Sequence, residues 1–258
     1  MEVTYRDIYK EGLIVLDTDM FRHYHDARML IRYDSNLIAF KRMPNLKEFS
    51  NTEKYLQEYH FARGQKHLKF VFPPNEKIDE ELWANLSDEK YDIGFMELYK
   101  INPWNFPKEE KRKEIEIVHI GEAQLDDFLT VSYQQDLFFG AEFAAIKRDN
   151  NRRHFHDPTI WQVLAYYNGA PAGGLEAIIK EQTVEIDGLF VLPEFQRKRI
   201  AAHLQQFVMV SFPEKTVILL ADGEDTPREM YKKQNYEYVG FQYEAVKVFE
   251  DEGNYCKG

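Results

Sequence analysis

The chain has 258 residues, of which 44% are hydrophobic and 15% aromatic; this is enough apolar material to exclude global disorder and to fill more than one core. The formal net charge of −11 disfavours binding to a phosphate backbone, which draws on a basic surface, so no nucleic-acid partner is expected. No run of roughly 18 apolar residues occurs, so no membrane span is expected. Met1 to Lys10 carries Glu2, Arg6 and Asp7 without the apolar stretch of a signal peptide. The single cysteine, Cys256, excludes an internal disulfide framework and is expected in a mobile tail, and the whole pattern fits a cytoplasmic protein.

In chain order, Leu13 to Leu16 and Lys69 to Phe72 read as short buried strands. Ser50-Asn51-Thr52-Glu53 reads as the cap of a helix reaching His60, with Tyr55, Leu56 and Tyr59 at helical spacing. Asp79 to Leu86 reads as a second helix and Tyr91 to Lys100 as a strand. Residues 101–114 hold Pro103 and Pro107 and then the charge run Lys108 to Glu114, which reads as an exposed linker. It divides the chain into domains 1–110 and 111–258. Beyond it, Ile115, Ile117 and His119 alternate as in a strand, and Ala123 to Lys147 holds one or two helices. Trp161 to Tyr167 and Ala172 to Ile179 pair across the hairpin turn Asn168-Gly169, with Gly173-Gly174 marking a bulge. Gln182 to Val191 is a further strand, stopped by Pro193. Gln196 to Ser211 is an amphipathic helix, Thr216 to Ala221 a buried strand and Phe241 to Phe249 the closing strand. Between them, Asp225-Thr226-Pro227-Arg228 opens a helix that runs to about Gln234, with an acidic or hydroxyl cap and proline in its first turn. The order implies a mixed α/β sheet.

The chemistry is concentrated where the strand ending Leu189-Phe190-Val191 passes into the helix opening Gln196-Arg197-Lys198-Arg199-Ile200-Ala201-Ala202. Free amides and the positive dipole end of a helix bind phosphate, three cations stand in the first turn, and Ala201 and Ala202 let a ligand approach. This stretch resembles the pyrophosphate loop of the GNAT N-acetyltransferase superfamily, in which glutamine or arginine, two residues, glycine, one residue, and glycine or alanine open the helix after the fourth strand. Gln196 and Ala201 match; Arg199 stands at the middle glycine. A second family pattern, tyrosine, three residues, glycine, phenylalanine, reads here Tyr231-Lys232-Lys233-Gln234-Asn235-Tyr236, with asparagine as an acceptable left-handed cap.

The resemblance covers about 135 residues and implies a GNAT-like acyl-CoA N-acyltransferase fold with acetyl-CoA as cosubstrate. It places the CoA pyrophosphate on amides around Gln196, Arg197, Lys198, Arg199, Ile200, Ala201 and Ala202, and the pantetheine along Leu189, Phe190 and Val191. It also implies Tyr231 as general acid and Glu185 as general base, with Asp187 two residues on along the same face. The implied reaction is acetyl transfer to a primary amine of a small molecule or peptide by direct attack in a ternary complex. The alternative is an inactive GNAT-fold binding or regulatory protein that keeps the CoA site. The histidine pairs His23-Tyr24-His25 and His154-Phe155-His156-Asp157 lack further ligands at metal-site spacing, so no metal is expected. Leu68 to Phe72, Asp79 to Leu86 and Tyr91 to Tyr99 resemble the end of the same fold. This implies two GNAT-like domains in tandem, the first a degenerate or accessory copy that shapes the acceptor cleft.

Overall fold

The protein is described by a computed structural model that covers residues 2–224 and 227–249. Cys256 and the cap expected at Asp225 and Thr226 lie outside the described residues. The chain divides into two units. The larger comprises residues 1–9, 97–221 and 225–239, and the smaller residues 10–96, 222–224 and 240–258. Both are mixed α/β.

In the smaller unit, strands β1 (Leu13–Asp17), β2 (Phe21–His25), β3 (Leu37–Phe40) and β4 (His67–Val71) lie in that order. The C-terminal part of β11 (Glu237–Val248) follows, pairing antiparallel to β4 from Glu244 opposite Val71 to Val248 opposite His67. β3 and β4 are parallel, so the chain crosses over between them through helix α1 (Leu46–Phe61). Helix α2 (Glu80–Asp88) starts as expected from Asp79, whose side chain accepts from the Leu82 amide at 2.8 Å. α1, in contrast, begins earlier than the sequence suggests. Asn45 and Glu48 form the capping box, and Ser50 and Thr52 bond back to carbonyls four residues behind them inside the helix. β1 forms where expected, but as the terminal strand of its unit it is not buried: Leu13 is 76% exposed. Phe49, Leu56, Phe70, Phe72, Leu82 and Leu86 make the core between helices and sheet.

This unit also buries His23, His25, His60 and His67 beside Tyr55 and Tyr59. Burial, together with the neighbouring imidazole or Arg63 charges, pushes His23 down to about 3 and His60 and His67 down to about 4. An ordinary histidine in the unfolded chain titrates near ~6.5, so the unfolded state binds more protons below that pH. The stability contributed by neutral burial is therefore complete above about pH 6.5 and is lost as pH falls toward about 4. The unfolding free energy from urea titrations, and the midpoint with it, is expected to change little from pH 7 to 8 and to fall between pH 6.5 and 5, the free energy with a limiting slope of about 4 kcal/mol per pH unit for three groups. A flat midpoint through that window would show that these rings are hydrated.

The larger unit orders its strands β5 (Asp92–Ile101, from Glu97 onward), β10 (Thr216–Asp222), β9 (Thr183–Val191), β8 (Ala170–Ile179), β7 (Ile160–Tyr167) and β6 (Ile115–His119). Successive strands from β6 to β9 pair antiparallel, and β9 and β10 are parallel. Asn168 and Gly169 take φ of 50° and 80°, the twisted two-residue turn that joins β7 to β8. Helices α3 (Leu125–Asp136) and α4 (Ala141–His154) cover one face, where Phe128 and Val131 pack with Leu164 and Leu192. Helix α5 (Ile200–Ser211) covers the other, where Leu204 and Val208 pack with Leu175, Ala177, Val184 and Ile186. α6 (Pro227–Lys233) adds Tyr231 to that second core.

The sequence places the division at residue 110. The chain passes between units near residues 96 and 97, and residues 240–249 return to the smaller unit. The stretch 101–114 is not a free linker, because Ile101, Phe106 and Glu109 are buried and Glu109 pairs with Arg199. A fragment of residues 114–258 therefore lacks Leu98, Tyr99, Ile101 and Phe106 from the core of the larger unit. At ~1.5–3 kcal/mol for each buried large side chain, that loss is comparable to the whole stability of a domain, ~5–15 kcal/mol. The fragment is expected to show no cooperative thermal transition by circular dichroism. A sharp transition would overturn this boundary.

Candidate active site

β8 and β9 build the site by failing to stay in register. Gly174 lies opposite Phe190 and Glu176 opposite Asp187, so three steps on β9 answer two on β8. The extra residue is accommodated at Gly188, whose φ of 59° is left-handed. The bulge resets the faces. Glu185 and Asp187 point to the α3–α4 side, Val184 and Ile186 join the α5 core, and beyond the bulge Phe190 is on the α3–α4 side. β10 follows β9 only from Thr183 to Glu185, so the ladder between these two strands ends where the bulge approaches. Gly173 is needed beside it: a Cβ there would lie 2.4 Å from the Phe190 carbonyl oxygen and 2.9 Å from the Val191 Cα.

A short 3-10 turn, Pro193–Phe195, then leads to the loop ahead of α5. Gln196 Nε2 donates to the Val191 carbonyl at 3.1 Å and ties the loop to the strand end. Arg197 and Arg199 take φ of 61° and 67°, so Arg199 holds the left-handed conformation that glycine would supply. Its guanidinium is drawn aside by two hydrogen bonds to Glu109, at 2.7 Å and 2.5 Å, which hold the Glu109 carboxyl below the usual range. The Arg199 carbonyl accepts the first helical bond, from the His203 amide at 3.1 Å. The amides of Ile200, Ala201 and Ala202 thus precede the helical ladder, at the positive end of a helix of 12 residues.

The structure brings several expected site residues together. Tyr231 is buried in one cluster with Ile200, and Leu189 and Val191 pack against it. Its ring lies 5.2 Å from Tyr99 and 5.4 Å from Tyr236. Asn235 takes φ of 64°, and the Tyr236 amide bonds back to the Tyr231 carbonyl, closing α6 as a left-handed cap does. Glu185 stands apart from this cluster. It is 5% exposed, and its carboxylate accepts from the Tyr9 amide at 2.6 Å.

On the α3–α4 side of the bulge lies a cavity of about 200 Å³, lined by α3, α4, β8 and β9. Sequence reasoning missed its centre, Glu176. This carboxylate accepts from His154 Nδ1 at 3.0 Å through either oxygen and from Gln162 Nε2 at 2.9 Å. Asn150 Nδ2 is 3.0 Å from His154 Nε2, and Arg153 Nη2 donates to Asn150 Oδ1 at 2.5 Å, which orients the relay. Burial opposes ionisation of Glu176, but the charge of Lys147 and these hydrogen bonds outweigh it and hold the group near about 2. The signal available in the sequence was a glutamate and a glutamine, Glu176 and Gln162, each inside an otherwise apolar strand. Of the two histidine pairs, His154 thus serves a carboxylate, and His23 and His25 belong to the aromatic cluster. Among the described residues no group of three or more His, Cys, Asp or Glu side chains is arranged to hold a metal ion, and no helix is long and apolar enough to cross a membrane.

Residues 122–236 match the acetyltransferase (GNAT) family, and residues 3–99 match a domain of unknown function, DUF5613. A functionally unknown conserved protein from Staphylococcus epidermidis is 30% identical over 96% of this chain and 99% of its own, with a TM-score of 0.89. A GCN5-related N-acetyltransferase from Kribbella flavida shares the fold at 12% identity, a TM-score of 0.61 and coverage of 93% and 91%. A tandem GNAT protein from the clavulanic acid biosynthesis pathway does so at 12% identity, a TM-score of 0.53 and coverage of 82% and 75%. No curated protein sequence matches the chain. Residues 122–236 thus match the GNAT acetyltransferase family and share its fold, and residues 3–99 match a distinct domain, DUF5613.

Proposed function

We propose that the larger unit transfers an acetyl group from acetyl-CoA to a primary amine in a ternary complex. The observation that carries this reading is the conjunction of the α5 loop with the end of β9, which stays paired to β8 but has left the ladder with β10. One offers strand amides and carbonyls and the other helix amides, and Gln196 couples them. These residues fit acetyl-CoA: Gln196 to Ala202 hold its pyrophosphate, and Leu189 to Val191 align the pantetheine. Arg199 supports rather than blocks this use, because its side chain is directed to Glu109 and its backbone keeps the glycine-like conformation.

The acceptor nitrogen must first lose a proton, since an alkylammonium has a pKa of ~10.4. Asp187 lines the cavity, with Glu185 two residues behind it on the same face of β9. We assign proton removal to this pair of carboxylates, Asp187 at the cavity wall and Glu185 behind it. The nitrogen then bonds to the carbonyl carbon, the C–S bond breaks, and the thiolate takes a proton from the Tyr231 hydroxyl. The nitrogen gives up two protons in becoming an amide, and the thiol keeps the equivalent of one, so each turnover releases one proton. A free phenol and a free alkyl thiol are of similar basicity, so a transfer between these two kinds of group is nearly balanced.

Steady-state release of free CoA thiol across a panel of amines tests the reading. Amine-dependent release supports it. Acetyl-CoA binding without release for any amine would favour a CoA-binding protein that does not turn over.

A further inference from the structure

The turn ahead of α5 is built on a backbone conformation that its own residues do not favour. Arg197 and Arg199 take φ of 61° and 67°, a region that a residue with a Cβ holds only where its surroundings fix it. Glycine, which the family pattern has at the place of Arg199, would hold it without support. Part of the support comes from α5 itself. The Arg199 carbonyl accepts from the His203 amide at 3.1 Å and lies 2.9 Å from His203 Nδ1. The rest comes from the charge run after Pro107, through Glu109.

Of this ion pair, the carboxylate is the fixed member. The Glu109 side chain is 6% exposed and that of Arg199 57%. Glu109 is also anchored without Arg199. Its amide donates to Gln206 Oε1 at 3.2 Å on the second turn of α5, and the Glu110 carbonyl lies 3.1 Å from His203 Nε2. Phe106, just before it, is buried in the same core as Ile200 and Leu204. Against this anchor, Nε and Nη2 of Arg199 donate to the two carboxylate oxygens of Glu109, at 2.7 Å and 2.5 Å. Two parallel bonds fix the plane of a guanidinium as well as its place, which limits the backbone that carries it. The pairing also neutralises a buried anion that would otherwise stand beside a loop assigned to pyrophosphate.

We propose that Glu109 is a positioning residue for the pyrophosphate loop: by holding the Arg199 side chain it keeps the left-handed turn that leaves the amides of Ile200, Ala201 and Ala202 free for an anion. The ion pair supplies by contact what glycine supplies by conformational freedom. The inference rests on the acetyl-CoA reading for its ligand, but the order of the loop can be read with no ligand present.

The test is a double-mutant cycle on the full-length protein, with Glu109→Gln and Arg199→Gly made singly and together. Acetyl-CoA affinity is read by calorimetry, and hydrogen exchange of the His203 amide, whose acceptor is the Arg199 carbonyl, by NMR without ligand. In the parent protein, Glu109→Gln is expected to weaken acetyl-CoA by about 10-fold or more and to speed His203 exchange by about 10-fold or more. In the Arg199→Gly background the same substitution is expected to change each by less than about 2-fold, because glycine holds the turn without the pair. The thermal midpoint is expected to change sign. Glu109→Gln lowers it in the parent, and raises it beside Arg199→Gly, where it removes an unpaired buried carboxylate. Equal losses of affinity in the two backgrounds would overturn the proposal, since Glu109 would then act without Arg199. Unchanged affinity and exchange in Glu109→Gln, with only the thermal midpoint lowered, would overturn it too. Coupling in His203 exchange without any acetyl-CoA binding by the parent would sink the cosubstrate reading and leave the loop latch standing. Acetyl-CoA binding without coupling in either readout would do the reverse.

Discussion

Tyr231→Phe is expected to lower kcat for acetyl transfer by about 10²–10⁴-fold, roughly 3–5 kcal/mol of transition-state stabilisation, with the Kd for acetyl-CoA changed less than about 3-fold. The ring is held between Tyr99 and Tyr236, and phenylalanine keeps those contacts, so the thermal midpoint should move little. The separation of kcat from binding is the informative part. A general acid acts only as the thiolate departs, whereas a packing residue would change stability and affinity together. Turnover within about 2-fold of the parent protein would remove the hydroxyl from the reaction and leave solvent as the proton source.

Gly173→Ala should have the second largest effect, and on a different quantity. The added methyl would lie 2.4 Å from the Phe190 oxygen, a backbone atom that can yield only if β9 moves. Overpacking of this kind costs ~1–3 kcal/mol of stability. Because the displaced segment is the one assigned to the pantetheine, acetyl-CoA affinity is expected to fall by about 10-fold or more. Gly94→Ala is the control: nothing lies within 4 Å of the added carbon there, and neither stability nor affinity should change measurably. Equal affinity in the Gly173 variant would mean that β9 does not hold the cosubstrate.

The legible parts of the sequence were the local ones. Asp79 opened α2, Asn168-Gly169 closed a hairpin, and Gln196 to Ala202 preceded or began a helix, because each signal is spelled by adjacent residues. Two errors came from local signals with non-local answers. The charge run after Pro107 looks the same whether it is solvated or anchored, and only the fold shows Glu109 buried against Arg199. The Ser50-Asn51-Thr52 cluster has the composition of a cap, but Asn45 and Glu48 took that role earlier, and the later hydroxyls bond within the helix. The cavity was invisible for a related reason. Ser132, Asn151, Glu176 and Asp187 come from two helices and two strands, and the bulge that sets Asp187 opposite Glu176 is a property of strand pairing.

The central claim is that the β9 bulge and the α5 loop bind acetyl-CoA. Calorimetry of acetyl-CoA with the full-length protein, with CoA and ATP as controls, tests it most directly. The account predicts micromolar binding of acetyl-CoA and CoA with ATP much weaker, because the strand end recognises pantetheine as well as pyrophosphate. No binding of either CoA species at millimolar concentration would contradict it.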